Sequence, residues 1–313
     1  MRADERRRLV CAAIATLILG VLPAPVVSAA TNAPARQILL ALGDSLAAGY
    51  QPADGTTVLP PIDPATGLRD QGYPGGYASD VAVARNLRLI DLGCPGETTL
   101  SMIGTPARRA CATLYRTKLS ATSQLAAAER FLSRNVGHVA LVTLDIGVND
   151  LDHCISGRGA DLSCLESSDV ATVNRLVTIV RALVSAVRRA DPGAIVVAMN
   201  YYDPYLGLVY EPGGSKGASL AAATLAATDI FNAQLEATFR NAGLKVADVA
   251  GAFDTHVTTP KVSFEGALLP RNVATVCSLT WMCPNPKSTS QNIHPNAAGY
   301  AVIARAFERV LGP

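Results

Sequence analysis

The sequence has few aromatic residues and almost no net charge. Phe, Trp and Tyr make up 5% of its 313 residues, with a single tryptophan, and 27 Lys and Arg residues stand against 25 Asp and Glu residues. This balance excludes a strongly basic nucleic-acid-binding protein, and a hydrophobic content of 49% excludes a disordered chain. The lone tryptophan argues weakly against a long stacking platform for polysaccharide.

The sequence also lacks the spacings of common metal and redox sites. It has four histidines and no CxxC pair, so neither a structural zinc site nor a dithiol redox motif is expected. His153 lies beside a run of acidic residues but has no second imidazole at ligand spacing. We therefore expect no metal and no organic cofactor. Inactivation by chelators would instead direct attention to the acidic cluster Asp145, Asp150 and Asp152.

Residues 1–30 have the features of a cleavable export signal. Four arginines precede the apolar run Leu9–Val27, which is interrupted by Pro23 and Pro25 and followed by small residues. Arg6-Arg7-Arg8-Leu9 also fits the twin-arginine export route. Removing residues 1–30 leaves 23 positive and 23 negative side chains. We therefore expect a secreted protein that does not bind nucleic acid.

After residue 30, the sequence has no further apolar run long enough to span a membrane. We expect no stable membrane insertion and a monomer. Six of the seven cysteines remain after residue 30, and an even number in an exported chain is typical of disulfides. The sequence alone does not choose among the possible pairings. We favour nearest neighbours, because each pair then closes one loop: Cys94–Cys111, Cys154–Cys164 and Cys277–Cys283.

Short apolar runs alternate with helical patterns along the rest of the chain. Each run predicts a strand buried on both faces: Gln37–Ala41, Leu87–Leu92, His138–Ile146, Ala194–Asn200 and Leu244–Val249. The helical patterns are Gly76–Asn86, Ser120–Asn135, Ser167–Ala190, Ser215–Asn241 and Asn296–Leu311. This alternation predicts an α/β fold, a three-layer α/β/α sandwich around a five-stranded, mostly parallel sheet, in a single domain over residues 31–313.

Two segments do not follow this alternation, Gln51–Gly75 and Phe253–Ile293. Long loops in compact domains are usually functional or disordered. We expect the second to be an ordered wall of the active site, because it contains two of the cysteines and leads directly into His294.

Candidate catalytic groups follow the first three predicted strands. Ser45 comes directly after the first strand, at the edge where open α/β sheets bind ligands. Gly96 follows the second strand and Asn149 the third. Each residue alone has a simpler interpretation, since serine caps helices and glycine and asparagine are common in turns.

His294 is the candidate base, because it lies just before the last predicted helix and can reach the strand ends from a loop. His138 begins a predicted strand and is given a structural role. His256 is the rival base, although its flanking residues predict no special placement.

Together these residues resemble the SGNH or GDSL hydrolase superfamily. The sequence Gly43-Asp44-Ser45-Leu46 is similar to the nucleophile block, Gly96 to the second block, Gly147-Val148-Asn149-Asp150 to the third, and His294-Pro295 to the last. The resemblance spans residues 37 to about 306 and implies a flavodoxin-like SGNH hydrolase fold. It also implies a secreted lipase or esterase in which Ser45 attacks the ester carbonyl and His294 transfers the proton. The oxyanion would be held by the N–H groups of Ser45 and Gly96 and by the Asn149 amide.

The sequence departs from the family at the position that orients the histidine. The superfamily carries Asp-x-x-His, but three residues before His294 this chain has Gln291. The acceptor for the histidine could be the Gln291 backbone carbonyl, its side chain, or an acid such as Asp254. We favour the backbone carbonyl, because the spacing is preserved and a few relatives work as Ser-His dyads.

Four tyrosines in Tyr201–Tyr210 and the nearby Trp281-Met282 pair predict an apolar rim, although half of the tyrosines are equally expected in the core. This rim favours small-molecule or lipid esters, and therefore a lipase or esterase. The alternatives are a carbohydrate O-deacetylase or acyltransferase and a non-catalytic secreted binding protein. With an unperturbed histidine, activity should rise through mildly acidic pH.

Overall fold

The computed structural model describes residues 37–53, 56–57, 75–104, 111, 115–116, 119–151, 154–156, 159–210, 215–283 and 292–313. These residues belong to one compact unit, Arg36–Pro313. The predicted export signal, most of Gln51–Gly75, His153 and Gln291 lie outside the described residues.

The central sheet is built from short apolar strands that are buried on both faces of the sheet. Its strands are β1 (Ile38–Gly43), β2 (Arg88–Asp91), β3 (Val139–Asp145), β4 (Ile195–Met199) and β5 (Lys245–Ala247). They lie in the order β2-β1-β3-β4-β5, and each neighbouring pair is parallel. The predicted five-stranded sheet is confirmed, and it is parallel throughout. All six residues of β1 are buried, as expected for a strand covered on both faces.

Helices connect the strands and cover the sheet. They are α1 (Tyr77–Ala84), α2 (Thr99–Ile103), α3 (Gln124–Arg134), α4 (Leu162–Ala190), α5 (Ser215–Asn241), α6 (Val249–Ala252), α7 (Arg271–Leu279) and α8 (Ala297–Leu311). Helix α1 packs against α8, whereas α3, α4 and α5 pack in series. Since β2 and β3 flank β1 on opposite sides, right-handed crossovers place these two helix groups on opposite faces. The predicted three-layer sandwich is confirmed.

The segment Phe253–Ile293 is more regular than the sequence pattern suggested. It contains helix α7 and an antiparallel pair of short strands, Val262–Phe264 with Ala267–Leu269. A second pair, Thr280–Trp281 with Asn292–Pro295, places His294 in extended backbone. Further short pairs are Pro52–Ala53 with Thr56–Thr57 and Ile155–Ser156 with Gly159–Ala160. Single-turn or longer 3-10 helices occupy Val148–Asp150 and Pro204–Tyr210.

Three disulfides fasten loops to this framework: Cys94–Cys111, Cys154–Cys164 and Cys277–Cys283. They pair nearest neighbours in the sequence. The first follows β2 and the last joins α7 to the Thr280–Trp281 strand region.

By length and composition one described segment, Val170–Ala190 within α4, could cross a membrane. In the fold this helix packs between α3 and α5.

A close approach between β1 and β3 sets the position of the loop that follows β1. Gly43 has φ 141°, and a Cβ atom on it would lie 2.0 Å from the Asp145 carbonyl oxygen and 2.3 Å from Asp145 Oδ1. Gln124 from α3 fixes the same residue from the other side. Its Oε1 accepts the Gly43 N–H at 2.7 Å, and its Nε2 donates to the Gly43 carbonyl at 2.9 Å. Only glycine therefore fits at the end of β1.

We predict that Gly43→Ala destabilises the protein by about 3 kcal/mol, because the new methyl group overlaps Asp145. Gly137→Ala is the matched control. Gly137 also has positive φ, 78°, but a Cβ there would meet no atom within 4 Å. The control should lose only about 1–2 kcal/mol from backbone strain. Urea unfolding of both variants measures the difference, and equal losses would contradict the steric explanation.

Candidate active site

The nucleophile candidate lies in a turn that follows β1. Residues 44–49 form this turn, in which the Tyr50 N–H donates to the Ser45 carbonyl at 2.9 Å and the Leu46 N–H donates to Asp44 Oδ1 at 2.9 Å. Ser45 is 7% exposed. The Tyr300 hydroxyl donates to the Tyr50 carbonyl at 2.7 Å, so helix α8 also holds the turn. The serine hydroxyl is therefore presented from a rigid loop at the carboxyl edge of the sheet.

Two carboxyl groups lie buried under this turn. Asp44 and Asp145 are both without solvent exposure and hydrogen-bond to each other. The Asp44 N–H donates to Asp145 Oδ1 at 2.9 Å, and the Tyr77 hydroxyl donates to Asp145 Oδ2 at 2.6 Å. Burial raises the pKa of Asp44 to about 6 and that of Asp145 well above its usual range. Burial is the main cause for both groups, and the nearby charge of Asp44 raises the pKa of Asp145 further.

The structure brings Ser45 and His294 together although 249 positions separate them in the chain. His294 Nε2 lies 2.7 Å from Ser45 Oγ. The Tyr50 ring lies over the imidazole, with ring centroids 4.3 Å apart. Desolvation lowers the pKa of His294 to about 4. The imidazole is therefore neutral at neutral pH, and its pKa lies below the value of an unperturbed histidine that the sequence analysis used.

The side chain that orients His294 is Asn292, which the sequence analysis missed. Asn292 Oδ1 lies 2.6 Å from His294 Nδ1 and also accepts the His294 backbone N–H at 3.0 Å. The backbone N–H can only donate, so the amide oxygen faces the histidine. Nδ1 must then carry the proton, which leaves Nε2 free to accept from the Ser45 hydroxyl.

The sequence analysis considered two other residues, Gln291 and Asp254, as acceptors for the His294 ring N–H. Gln291 lies outside the described residues. The Asp254 carboxylate accepts from Arg271 Nε at 2.8 Å and from the Thr275 hydroxyl at 3.2 Å. A signal for Asn292 was present in the sequence. Residues two apart in an extended segment point to the same side, so Asn292 shares a face with His294.

The Asn149 amide lies close to the loop that carries Gly96. Gly96 has φ 76°, and the Asn149 Nδ2 group donates to the Glu97 carbonyl at 2.9 Å. Gly147 has φ 120° and begins the turn that carries Asn149. The structure therefore places the second and third sequence blocks side by side at one edge of the sheet.

Asp150 fastens these two loops to each other. Its Oδ2 accepts the Thr99 N–H at 2.7 Å, and its Oδ1 accepts the Thr99 hydroxyl at 2.7 Å. Arg175 from α4 adds a 2.8 Å ion pair to Oδ1 and donates from Nε to the Thr99 hydroxyl. Neither Thr99 nor Arg175 stood out in the sequence, because nothing local marks a side chain that reaches a distant loop. Asp150 is thus occupied with protein partners, and the described residues contain no group of three potential metal-ligating side chains.

The remaining candidates lie apart from Ser45 or play supporting roles. His256 pairs with Asp229 at 3.0 Å on the surface, so the structure does not bring this rival base to Ser45.

The tyrosine-rich segment Tyr201–Tyr210 contributes partly to the core of the protein. Tyr201 and Tyr202 are buried, and their hydroxyl groups donate to Asp44 Oδ2 and to the Ile293 carbonyl, at 3.3 and 2.7 Å.

Comparison with known proteins assigns the chain to a family. Residues 41–302 match the GDSL-like Lipase/Acylhydrolase family. The chain belongs to that family. The match spans most of the chain and includes the Ser45, Gly96, Asn149 and His294 positions. The GDSL family places this protein among the hydrolases of acyl esters. The superfamily resemblance read from the sequence is thereby confirmed.

Several solved structures are similar to this GDSL-family chain. An α/β hydrolase enzyme from the metagenome of Lake Arreo, Spain, is 18% identical, with 87% of this chain and 94% of that chain covered and a TM-score of 0.44. Phospholipase A1 from Streptomyces albidoflavus is 18% identical, with coverages of 78% and 99% and a TM-score of 0.43. The extracellular lipase from Streptomyces rimosus is 18% identical, with coverages of 77% and 98% and a TM-score of 0.42. No curated protein matches the chain.

We predict that Asn292→Asp raises the pKa of His294 from about 4, because a carboxylate stabilises the imidazolium that the neutral amide does not. The wild-type pKa lies below the ordinary histidine value of 6.5, so the folded state resists protonation and loses stability as the pH falls from 6.5 towards 4. In Asn292→Asp the loss of unfolding free energy over this pH range should be smaller, because the pKa of His294 lies closer to 6.5. Titration of the His294 ring signals by NMR, with urea unfolding at each pH, measures both effects.

Asn296→Asp is the matched control for charge. Asn296 caps α8 by accepting the Gly299 N–H at 3.1 Å, a role that aspartate performs equally well. This variant adds the same charge two residues after His294 and should move its pKa far less. Equal shifts in the two variants would contradict a direct contact between residue 292 and the imidazole.

Proposed function

We propose that this protein is a secreted serine ester hydrolase that works through a Ser45–His294 pair and an acyl-enzyme intermediate. The observation that carries the proposal is the 2.7 Å contact between Ser45 Oγ and His294 Nε2. A neutral imidazole with its proton on Nδ1 is the form that can remove the serine proton. Asn292 holds that form, as asparagine does in Cys-His-Asn enzymes.

The reaction follows from these positions. His294 Nε2 takes the Ser45 proton as Oγ bonds to the ester carbonyl carbon, and the carbonyl electrons move onto oxygen. His294 then returns the proton to the leaving alcohol as the ester C–O bond breaks, which leaves Ser45 acylated. Water then attacks the carbonyl carbon of the acyl-enzyme while His294 takes its proton. His294 returns that proton to Ser45 Oγ as the acyl bond breaks, and the carboxylic acid is released. A histidine with a pKa near 4 is a weak base but is available over a wide pH range.

The oxyanion requires donors where negative charge develops. We assign the Asn149 amide and the N–H groups of Ser45 and Gly96 to this role. The position of Asn149 supports this assignment, because the side chain lies beside the Gly96 loop and its Nδ2 group donates to the Glu97 carbonyl. Asp150, Thr99 and Arg175 act as positioning residues that hold the two loops in register.

Secretion is supported by the three disulfides, since such bonds persist in oxidising compartments. It is also supported by the arginine-led apolar run of residues 1–30. A non-catalytic binding protein has less support, because the nucleophile and base candidates are in hydrogen-bonding contact.

Ser45→Ala should abolish hydrolysis of p-nitrophenyl esters while leaving the fold intact, because alanine removes only the attacking oxygen. A fluorophosphonate should label the wild-type protein once, on Ser45, and should not label the variant. Mass spectrometry measures the label, and circular dichroism checks the fold. Undiminished turnover in the folded variant would refute the proposed nucleophile.

Asn149→Ala should reduce kcat by about 10²–10³, the usual cost of losing one oxyanion donor, with a smaller effect on KM. Asn135→Ala serves as the control, since Asn135 ends helix α3 and donates to the Phe131 carbonyl, away from Ser45. A kcat for Asn149→Ala within about twofold of the control would remove this amide from the oxyanion site.

A further inference from the structure

A buried glutamine links the turn that carries Ser45 to the loop that carries Gly96. Gln124 is the first residue of helix α3 and has no solvent exposure. Its amide exchanges two hydrogen bonds with the backbone of Gly43, of 2.7 and 2.9 Å, and Gly43 is two residues before Ser45. The Gly43 N–H can only donate, so it fixes which way the Gln124 amide faces. The amide therefore holds the end of β1 at a set distance and orientation relative to α3.

The amide nitrogen of the same side chain reaches the second loop. Gln124 Nε2 donates to Glu97 Oε2 at 3.2 Å and to the Tyr115 hydroxyl oxygen at 3.1 Å. The Tyr115 hydroxyl itself donates to the Leu92 carbonyl at 2.7 Å, which leaves its oxygen free to accept from Nε2. Glu97 directly follows Gly96 and has no solvent exposure. Gln124 thus bonds both to the end of β1 and to the loop after β2.

Glu97 continues the link to Asn149. The Glu97 carbonyl accepts from Asn149 Nδ2 at 2.9 Å, and the Glu97 N–H donates to the Cys94 carbonyl at 2.9 Å. The Ser101 hydroxyl donates to Glu97 Oε1. Glu97 is therefore held through its backbone and its side chain. A continuous series of hydrogen bonds runs from the end of β1, through Gln124 and Glu97, to the Asn149 amide.

The proposed reaction depends on the spacing of the groups that this series joins. The oxyanion must meet the N–H groups of Ser45 and Gly96 and the Asn149 amide at once, at about 2.7–3.1 Å from each donor. These three donors follow three different strands, β1, β2 and β3. A displacement of about 1 Å in such a site can lower the rate about 100-fold. A side chain that ties the loops together is therefore expected to affect the rate of the chemical step.

We infer that Gln124 is a positioning residue for ester hydrolysis, which sets the distance between Ser45 and the donors on Gly96 and Asn149. It acts through its hydrogen bonds to the backbone before Ser45 and to the side chain after Gly96. This inference rests on the proposed function, since it needs the attack by Ser45 and the oxyanion donors. Loss of the amide should slow the chemical step more than it weakens substrate binding.

The first test is Gln124→Met, which removes the amide and keeps most of the side-chain volume. With p-nitrophenyl acetate as the substrate, kcat should fall at least tenfold while KM changes less than threefold. Asn232→Leu is the matched control. Asn232 is a buried amide on helix α5 that also exchanges two hydrogen bonds with one backbone residue, Tyr201, at 2.9 and 2.7 Å. Urea unfolding should show similar losses in the two variants, whereas the control should keep kcat within threefold of the wild type.

Exchanging the two side chains tests the link itself. Gln124→Glu places a carboxylate against the carboxylate of Glu97 and should lower kcat at least tenfold. Adding Glu97→Gln to that variant restores a donor opposite an acceptor, and the Gly43 N–H keeps its acceptor at position 124. We expect the double variant to regain at least fivefold in kcat over Gln124→Glu alone. Glu97→Gln by itself completes the double-mutant cycle, and circular dichroism checks each fold.

The outcomes separate this inference from the proposed function. A kcat for Gln124→Met within threefold of that for Asn232→Leu would overturn the inference. Failure of the exchanged pair to regain activity would overturn it as well, and this measurement decides the matter if Gln124→Met does not fold. Wild-type turnover that persists in Ser45→Ala, or its complete absence in the wild type, would instead count against the proposed function.

Discussion

The active-site geometry depends on how closely β1 approaches β3 at the carboxyl edge of the sheet. Gly43 leaves no room for a side chain beside Asp145, and the Asp44 N–H donates directly to that carboxyl group. This contact aims the next residue, Ser45, out of the sheet and towards the loop after α7. The contact also buries the Asp44 and Asp145 carboxyl groups together, and this burial raises the pKa of both. The close approach of the two strands and the buried carboxyl pair thus both lie at the turn that carries Ser45.

The proposed base, His294, is oriented by a neutral amide. An aspartate at this position would raise the pKa of His294, whereas Asn292 fixes the tautomer without adding charge. The site already contains the negative charge of Asp44 beneath the nucleophile, and a second carboxylate in contact with a partly buried histidine would itself need desolvation. The outcome is a base that is neutral over a wide range of pH, with less driving force for proton transfer.

A small pocket beside Asn149 shows how packing brings distant parts of the chain together at the candidate site. Its walls come from elements far apart in sequence, α5, the turn after β3 and the strand that holds His294. Each of these is fixed by contacts that also position the reacting groups, such as the Tyr202 hydroxyl on the Ile293 carbonyl. The same interactions therefore hold both the strand that carries His294 and the walls of the pocket.

The sequence by itself determined the layer architecture and the identity of the groups at the sheet edge. The apolar run Gln37–Ala41 predicted a strand buried on both faces, which the structure has as Ile38–Gly43. The helix of Ser215–Asn241 was predicted with the bounds it has. The nucleophile and base candidates were also marked, because Ser45 follows a strand and His294 precedes a helix. What only the tertiary structure decided were the partners: Gln124 on Gly43, Arg175 on Asp150, and the pocket that Phe231 lines. These contacts join residues that are distant along the chain, and local periodicity carries no information on which side chains will meet.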